Sequence, residues 1–232
     1  MIGQLTSWKR DIPPIIAVVD DDETERFLLS DELRKWGYQV ELFKGRYADV
    51  PALISEIKEK RSDFVICDNH LQQAGYAGFF GAEAVVDLNQ LGIPSILVTQ
   101  HQDTDATRLK KWRAKLPVIL DKNNINQRNV EQAFEKCRAE VNGTIAPDRL
   151  PVRVLVEVDA IYDKEVVAFV DSWALRESIS FPLNLIDHLS RNIAKAGTLL
   201  LADVNIGATD RRDLYFLNFE LAPEPDPDDG LA

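Results

Sequence analysis

The sequence is poor in the residues that build disulfide frameworks and metal–thiolate sites. Of its 232 residues, only two are cysteines and three are histidines. Cys67 and Cys137 form no CxxC pair and have no paired histidine, so neither a zinc site nor a disulfide scaffold is predicted. We expect two reduced cysteines that serve in packing, as is usual in the cytosol.

Long apolar runs are also absent. No run reaches the ~18 residues that a membrane-spanning helix requires. Residues 1–14 contain no apolar segment of the kind that forms a secretory signal. We therefore expect a cytoplasmic protein without a membrane partner.

Positive charge is scarce, above all near the C-terminus. Residues 1–150 hold 20 Lys and Arg against 23 Asp and Glu, a balance of −3, whereas residues 151–232 hold 7 against 15, or −8. Proteins that bind nucleic acids concentrate positive charge to neutralise phosphates. DNA is therefore not an expected partner of the C-terminal part.

What the first 140 residues do contain is a regular alternation of apolar strand patterns and helical patterns. Five runs, such as "PIIAVVD" and "DFVICD", are each followed by a helix-like segment. This order predicts an α/β domain over residues 1–140, with a doubly wound five-stranded parallel sheet covered by helices on both faces.

The pattern changes after a linker predicted at residues 141–150. Short strand-like segments at turn-punctuated spacing predict a small, mainly β domain over residues 151–223, barrel-like or sandwich-like, with about five strands. It contains one helix, and "YDKE" is a predicted hairpin turn. The Pro- and Asp-rich residues 224–232 are predicted to be a disordered tail.

Polar residues follow the strands of the first domain. They are Asp20, Asp21 and Asp22 after the first strand, Asp68 at the end of the third, Thr99 at the end of the fourth, and Asp121 and Lys122 at the end of the fifth. Carboxyl ends of parallel strands meet in one crevice, which is where such sheets bind ligands.

This residue set favours phosphoryl chemistry around a divalent cation. Carboxylates are ligands that Mg²⁺ prefers, Lys122 suits a phosphoryl oxygen, and Thr99 offers a hydroxyl donor. Asp68 is then free to act as a nucleophile, because aspartate forms aspartyl phosphates. The alternative for the aspartate triplet is helix capping, for which Asp22 is the best candidate.

At these positions the chain resembles the receiver domain of two-component response regulators, which has a flavodoxin-like fold. "VVDDDE" is similar to the family's first-strand motif, "DFVICD" to its third, "SILVT" to its fourth and "VILDK" to its fifth. The resemblance implies that Asp20 and Asp21 bind Mg²⁺ together with Asp68 and the backbone carbonyl of His70. It also implies Asp68 as phosphoacceptor, assisted by Thr99 and Lys122.

The chain departs from the family pattern around this core. Leu71 and Gln72 replace the usual Met-Pro pair, Gln100 replaces a small residue after the switch hydroxyl, Asn123 replaces a proline after the lysine, and Ile119 replaces a frequent aromatic. The following "QAGYAGFFG" is also unusual. Its aromatic residues either pack inward or form a patch for a partner.

We expect a response regulator that accepts a phosphoryl group on Asp68 from a histidine kinase or phosphotransfer protein. It would not itself be an enzyme, and it would signal through the β-rich domain to a protein partner or as a homodimer. The alternative is a pseudo-receiver scaffold that is never phosphorylated, and a nucleic-acid-binding output ranks third. "ATRLKKWRAK" corresponds to the fourth receiver helix, either an output or dimer surface or a solvated charged face.

Overall fold

A computed structural model describes residues 13–223 of the chain, so the predicted tail at 224–232 lies outside the described residues. The contacts divide the chain into two compact units. The first unit runs to Gln100 and resumes at Val118–Asn142. The second unit consists of His101–Pro117 and the chain from Gly143 onward.

The first unit is built on a five-stranded parallel sheet. Its strands are β1 (Ile15–Val19), β2 (Gln39–Phe43), β3 (Phe64–Asp68), β4 (Ser95–Thr99) and β5 (Ile119–Asp121). The strand order is β2-β1-β3-β4-β5, and every neighbouring pair is parallel. This is the flavodoxin-like order, whose switch point lies between β1 and β3. The predicted fold class of this unit is confirmed.

Helices alternate with these strands along the chain. They are α1 (Glu23–Lys35), α2 (Val50–Glu59), α3 (Gly81–Gln90), α4 (Gln102–Arg113) and α5 (Gln127–Val141), of which α4 belongs to the second unit. The first helix ends at Lys35, and Gly37 follows its C-cap, Trp36, with a φ of 90° that a residue without Cβ adopts readily.

The central strands carry the core of the first unit. Every residue of β3 and β4 is buried, which explains their nearly continuous apolar sequences. Both cysteines are buried thiols, and the Cys137 thiol lies 3.3 Å from the Ser95 carbonyl oxygen. Burial raises the pKa of the Cys67 thiol well above its ordinary value. These features agree with the predicted packing role.

The second unit contains an antiparallel sheet of five strands. They are β6 (Val152–Tyr162), β7 (Glu165–Phe169), β8 (Ser178–Pro182), β9 (Leu199–Val204) and β10 (Phe216–Leu221), with one further helix, α6 (His188–Ile193). Their order is β10-β9-β6-β7-β8. Within the described residues β8 and β10 are the two edges, so this mainly β unit has an open sheet and not the closed barrel considered from the sequence.

One face of the open sheet carries the core of the second unit. Val154, Val156 and Val158 alternate with more exposed residues along β6, as expected for a sheet with one covered face. The hairpin predicted at "YDKE" joins β6 and β7, where Tyr162 pairs with Glu165 and Asp163 has a φ of 47°.

Most of the segment predicted as a linker is exposed, but one of its side chains is buried. Pro147–Arg149 forms a short 3-10 turn, and Arg149 is only 6% exposed. The Tyr215 hydroxyl donates a hydrogen bond of 2.5 Å to the Arg149 carbonyl oxygen. From Gly143 onward the contacts group this segment with the second unit.

Among residues 13–223, no helix combines the length and the apolar character that crossing a membrane would require.

A buried lysine in α4 predicts how the stability of the second unit depends on pH. Burial, aided by the positive charges of Arg113 and Arg211, lowers the pKa of Lys110 to about 7. The negative charges of Asp213 and Asp210 act in the opposite direction and raise this pKa. Below pH 7 the folded and unfolded states both carry the proton. Between pH 7 and the ordinary value of 10.5 only the unfolded state still binds it, so stability rises with pH.

Lys110→Met should abolish this pH dependence. We expect the urea midpoint of the wild type, relative to that of Lys110→Met, to increase between pH 7 and 9.5. Parallel pH profiles for the two proteins would contradict the assignment to Lys110.

Candidate functional site

The carboxyl edge of the first sheet brings two buried carboxylates together. Asp20 follows β1 directly and is 2% exposed, while Asp68 ends β3 and is 6% exposed. Both strands are central and pair with each other in parallel, so their ends lie side by side. The two carboxylates therefore lie together, as the positions of polar residues at the strand ends in the sequence predict.

Lys122 provides the positive charge between these two carboxylates. Its Nζ lies 2.7 Å from Asp20 Oδ2 and 3.4 Å from Asp68 Oδ1. The lysine stands immediately after β5, in a 3-10 turn at Lys122–Asn124. An ammonium in this position compensates much of the cost of burying two like charges.

The electrostatics of this cluster follow from burial and from mutual repulsion. Burial raises the pKa of Asp68 to about 6, with Lys122 lowering it and Asp20 raising it. Burial likewise raises the pKa of Asp20, against the opposing effect of Lys122. Burial would lower the pKa of Lys122, but its ion pairs with both aspartates raise it. The site therefore holds a carboxyl group, Asp68, poised near neutrality.

The aspartate triplet divides into different roles. Asp22 is the N-cap of α1, and its Oδ1 accepts hydrogen bonds from the amides of Thr24 at 2.8 Å and Glu25 at 3.0 Å. The Asp21 carboxylate is half-buried and accepts a 2.6 Å hydrogen bond from the Gln73 amide. The predicted capping role of Asp22 is confirmed.

The remaining carboxylates fit a divalent cation. One oxygen each from Asp20, Asp21 and Asp68 lies within 4.8 Å of the others. Mg²⁺ accepts such a set because it keeps several waters and needs only one or two direct carboxylates. The donor set therefore fits the predicted metal, with these three aspartates as the residues that would hold it.

His70 contributes through its backbone. Its amide donates a 2.8 Å hydrogen bond to Asp68 Oδ2, which fixes one oxygen of the carboxylate and leaves the other toward Lys122. The His70 ring meets the Phe80 ring edge to face, with centroids 5.9 Å apart. Its carbonyl oxygen as a metal ligand stays a prediction.

Thr99 ends β4 and is fully buried. In the register of the sheet it lies opposite Asp121 of β5, the residue before Lys122. The side chain of the next residue, Gln100, is exposed. Thr99 is thus placed at the same edge as the acidic cluster, while its predicted role stays open to test.

The other departures from the family pattern are local. Asn123 lies in the turn after β5, where the Asp121 carboxylate accepts hydrogen bonds from its amide at 2.9 Å and its side chain at 3.1 Å. Ile119 is half-buried in β5. Asp121 therefore caps this turn and is not part of the metal cluster.

The unusual segment after Asp68 is an ordered loop with inward-facing aromatic rings. Tyr76 and Phe79 are 6% and 7% exposed, and the Tyr76 hydroxyl donates to the Phe43 carbonyl oxygen at 2.7 Å. The Tyr47 and Tyr76 rings meet edge to face at 5.4 Å. Of the two alternatives left by the sequence, inward packing is the one found for Tyr76 and Phe79.

Arg26 connects this loop to the acidic site. Its buried guanidinium donates to the Asp20 carbonyl oxygen and lies 6.0 Å from the centre of the Tyr76 ring. Sequence reasoning missed this residue, because an arginine one turn into a helix ordinarily points into solvent. It holds the backbone of the first-strand motif against the loop after β3.

Gly81 is a second residue that sequence reasoning missed. It is the first residue of α3, and its amide donates to the Asn69 carbonyl oxygen at 2.9 Å. A Cβ at this position would lie 1.8 Å from the Asp68 carbonyl oxygen and 2.9 Å from the Cys67 sulfur. Only glycine permits α3 to begin this close to the end of β3.

Substitutions within the triplet should separate metal binding from helix capping. Asp21→Asn keeps an acceptor for the Gln73 amide but removes a charge, so we expect the Mg²⁺ affinity to fall about tenfold or more. Asp22→Ala should leave Mg²⁺ binding nearly unchanged and lower the thermal midpoint, because α1 loses its cap. Isothermal titration with Mg²⁺ and thermal melts measure the two effects. Equal Mg²⁺ affinities in both variants would refute the division.

Comparisons with solved structures return receiver domains. The signal receiver domain of a modulated diguanylate cyclase from Desulfovibrio desulfuricans is 20% identical over 56% of this chain and 97% of its own, with a TM-score of 0.44. A response regulator from Thermotoga maritima in complex with Mg(2+)-BeF is 21% identical over 53% of this chain and 98% of its own, with a TM-score of 0.42. A putative response regulator from Chloroflexus aurantiacus is 24% identical over 54% of this chain and 98% of its own, also with a TM-score of 0.42.

No protein-family model matches the chain, and no curated protein matches it.

The topology of the first unit therefore carries the assignment of its fold. The order β2-β1-β3-β4-β5 is that of flavodoxin-like sheets, and Asp20, Asp68, Thr99 and Lys122 stand at the ends of four of its strands. The first unit has the doubly wound fold that response-regulator receiver domains share.

Proposed function

We propose that the protein is a response regulator whose Asp68 accepts a phosphoryl group from a histidine kinase or a phosphotransfer protein. The observation that carries the proposal is the buried pair of carboxylates, Asp20 and Asp68, bridged by Lys122 at the carboxyl edge of the sheet. A salt bridge with Lys122 would require only one carboxylate. The structure has three, because Asp21 lies beside Asp20 and Asp68, and such a set fits a cation.

The chemistry is nucleophilic substitution at phosphorus. An Asp68 carboxylate oxygen forms a bond to phosphorus while the bond to the donor, the P–N bond of a phosphohistidine, breaks. The electron pair stays on the imidazole nitrogen, which takes up a proton from water. The product is an aspartyl phosphate, an established form of covalent catalysis at carboxylates.

The surrounding residues orient the acceptor and neutralise charge. The His70 amide holds Asp68 Oδ2 at 2.8 Å, so the other oxygen is presented toward Lys122. The Lys122 ammonium is suited to the oxygens of the incoming phosphoryl group, and the Thr99 hydroxyl is a donor to the same group. A bound Mg²⁺ would supply further neutralisation of the phosphoryl oxygens.

The output belongs to the second unit in this proposal. We propose that it signals to a protein partner, since its chain from residue 151 has a net charge of −8, which opposes binding to nucleic acid. A homodimer is a second form that the output can take. Retention on heparin at moderate salt would instead support a nucleic-acid-binding output.

Beryllofluoride binding tests the proposal. In the presence of Mg²⁺, we expect the wild-type protein to bind beryllofluoride, seen by ¹⁹F NMR, and to change its tryptophan fluorescence or its oligomeric state. Asp68→Ala should do neither. Asp87→Ala, which removes an exposed carboxylate from α3, is the matched control and should behave as wild type.

The pseudo-receiver alternative predicts a different result. If wild-type protein binds neither Mg²⁺ nor beryllofluoride, the phosphorylation proposal fails, and the first unit is then a constitutive assembly scaffold.

A further inference from the structure

The outward face of the antiparallel sheet carries leucines at positions that normally meet water. Along its strands, residues alternate between a covered face, which holds the core of the second unit, and this outward face. On the outward face, Leu155 of β6 is 51% exposed, Leu199 of β9 is 46% exposed and Leu217 of β10 is 40% exposed. An antiparallel sheet with one covered face usually presents polar residues to solvent. These leucines depart from that pattern.

The exposed leucines are neighbours on the sheet. Leu155 lies directly opposite Leu201, and Leu199 lies two residues before Leu201 on the same face of β9. Side chains that lie directly opposite each other are in contact, and residues two apart on a strand share a face. Leu217 pairs with Asp203, the next outward residue of β9. We name Leu155, Leu199, Leu201 and Leu217 the leucine face.

The sequence of β9 also indicates a strand that is covered on both sides. Leu199, Leu200 and Leu201 are consecutive, so the strand presents leucine both to the core and to the outward face. Continuous apolar runs of this kind are typical of strands that are buried on both faces. Single exposed leucines are common on protein surfaces and need no partner. A contiguous group on three adjacent strands, in contrast, marks an interaction surface.

The charges beside the leucine face fit a second copy of the same chain. The outward residues of β6 are, in order, Arg153, Leu155 and Glu157, which are positive, apolar and negative. A two-fold axis that lies in the plane of contact and crosses β6 at Leu155 brings Leu155 of the two copies together. It also sets Arg153 of each copy against Glu157 of the other. An isologous contact requires such a self-complementary surface, whereas a partner with a single sign of charge would meet an equal charge at one end.

These charged side chains are held in position within each copy. Arg153 donates to the Asn218 carbonyl oxygen at 2.6 Å and pairs with Asp203 at 3.4 Å. Arg176 pairs with Glu157 at 3.3 Å. Ion pairs that are partly exposed contribute little to folding stability, so these side chains can join a contact with a second copy at small cost. They fix the orientation of the two copies, and the leucines supply the apolar area.

We propose that the leucine face is a homodimer interface, in which the outward faces of two sheets pack on each other about a two-fold axis. Sheets that pack face to face lie about 10 Å apart, and the side chains between them interdigitate. The leucine face spans parts of three strands, which is at the small end of specific interfaces, so we expect dissociation in the micromolar range. This inference goes beyond the proposed function and does not depend on Asp68, because the leucine face lies entirely in the second unit.

Sedimentation equilibrium of the full-length protein measures the dimer. The wild type should change from monomer to dimer between submicromolar and several hundred micromolar concentration. Leu155→Gln should raise the dissociation constant about tenfold or more, because it places an amide at the centre of the contact. Leu189→Gln is the matched control and should dimerise as the wild type does, since Leu189 lies in α6, outside the leucine face, and is 76% exposed.

Charge reversal tests the two-fold arrangement itself. Arg153→Glu and Glu157→Arg each place like charges opposite each other in the dimer, so each should weaken it about tenfold. The double variant restores opposite charges and should recover most of the wild-type affinity. Recovery by a second substitution cannot result from a folding defect, and thermal melts of each variant separate loss of the dimer from loss of the fold.

Three results would overturn the inference. They are a wild-type protein that stays monomeric over this concentration range, equal dissociation constants for the wild type and Leu155→Gln, and a double charge variant that is no better than the single ones. Asp68→Ala should dimerise as the wild type does. A protein that dimerises but binds no beryllofluoride would contradict only the proposed function, whereas a monomer that binds beryllofluoride would contradict only this inference.

Discussion

Lys122→Met should slow phosphorylation of the protein by acetyl phosphate about 10²-fold. The ammonium lies 2.7 Å from Asp20 and 3.4 Å from Asp68, where in the proposed reaction it would face the incoming phosphoryl group. Removing it withdraws a fixed positive charge from the transition state. Mg²⁺ binding should persist, because the three carboxylates remain and Asp20 loses a competing cation.

Rates of acetyl phosphate labelling and Mg²⁺ titrations of the same protein give both quantities. Lys44→Met is the matched control, since Lys44 follows β2 at the same edge of the sheet but its side chain is exposed. Labelling of Lys122→Met at the wild-type rate would remove the lysine from the mechanism. Loss of Mg²⁺ binding in this variant would show that its role is structural.

Gly81→Ala should destabilise the first unit by about 3 kcal/mol or more, the upper end for overpacking a tight site. The added Cβ would lie 1.8 Å from the Asp68 carbonyl oxygen and 2.8 Å from its carbonyl carbon. Both are backbone atoms that cannot rotate away, so either α3 or the end of β3 must shift. Because Asp68 itself is displaced, Mg²⁺ and beryllofluoride binding should fall as well.

Gly78→Ala is the control for this substitution. It lies three residues earlier in the same loop, and a Cβ there would meet no atom within 4 Å. Urea denaturation of the two variants should therefore differ strongly in midpoint. Equal midpoints would refute the close approach of α3 to the end of β3.

The strand-end residues were predictable because their positions follow from local pattern and general topology. The runs before Asp20 and Asp68 are apolar throughout, which identifies central parallel strands. Once the strands are known, their carboxyl ends must converge. The N-cap role of Asp22 needed only the sequence of the following helix.

The contacts that support the site were not predictable, because they depend on tertiary packing. The role of Arg26 depends on a neighbour that is distant in the chain, and the role of Gly81 depends on the short distance between two backbone segments. Neither feature produces a periodic pattern in the sequence. The same is true of α4: its basic residues read as a solvated face, yet Lys110 and Arg113 are buried against residues about one hundred positions later. Propensity and periodicity carry no information about such partners.

The departures from the family pattern lie at positions that, in the resemblance, take part in the conformational response to phosphorylation. They do not change Asp68, the proposed phosphoacceptor. The Gln100 side chain is exposed, and Asn123 serves a turn. Ile119 cannot report activation by an aromatic rotamer.

The covalent state of Asp68 is the most direct test of the account. Full-length protein is incubated with acetyl phosphate and Mg²⁺, and intact-mass spectrometry is followed by treatment with hydroxylamine, which cleaves acyl phosphates. We expect the wild type to gain the mass of one phosphoryl group, lost on hydroxylamine treatment, and Asp68→Asn to gain none. An unlabelled wild type, or equal labelling of Asp68→Asn, would contradict the assignment of Asp68 as the phosphoacceptor.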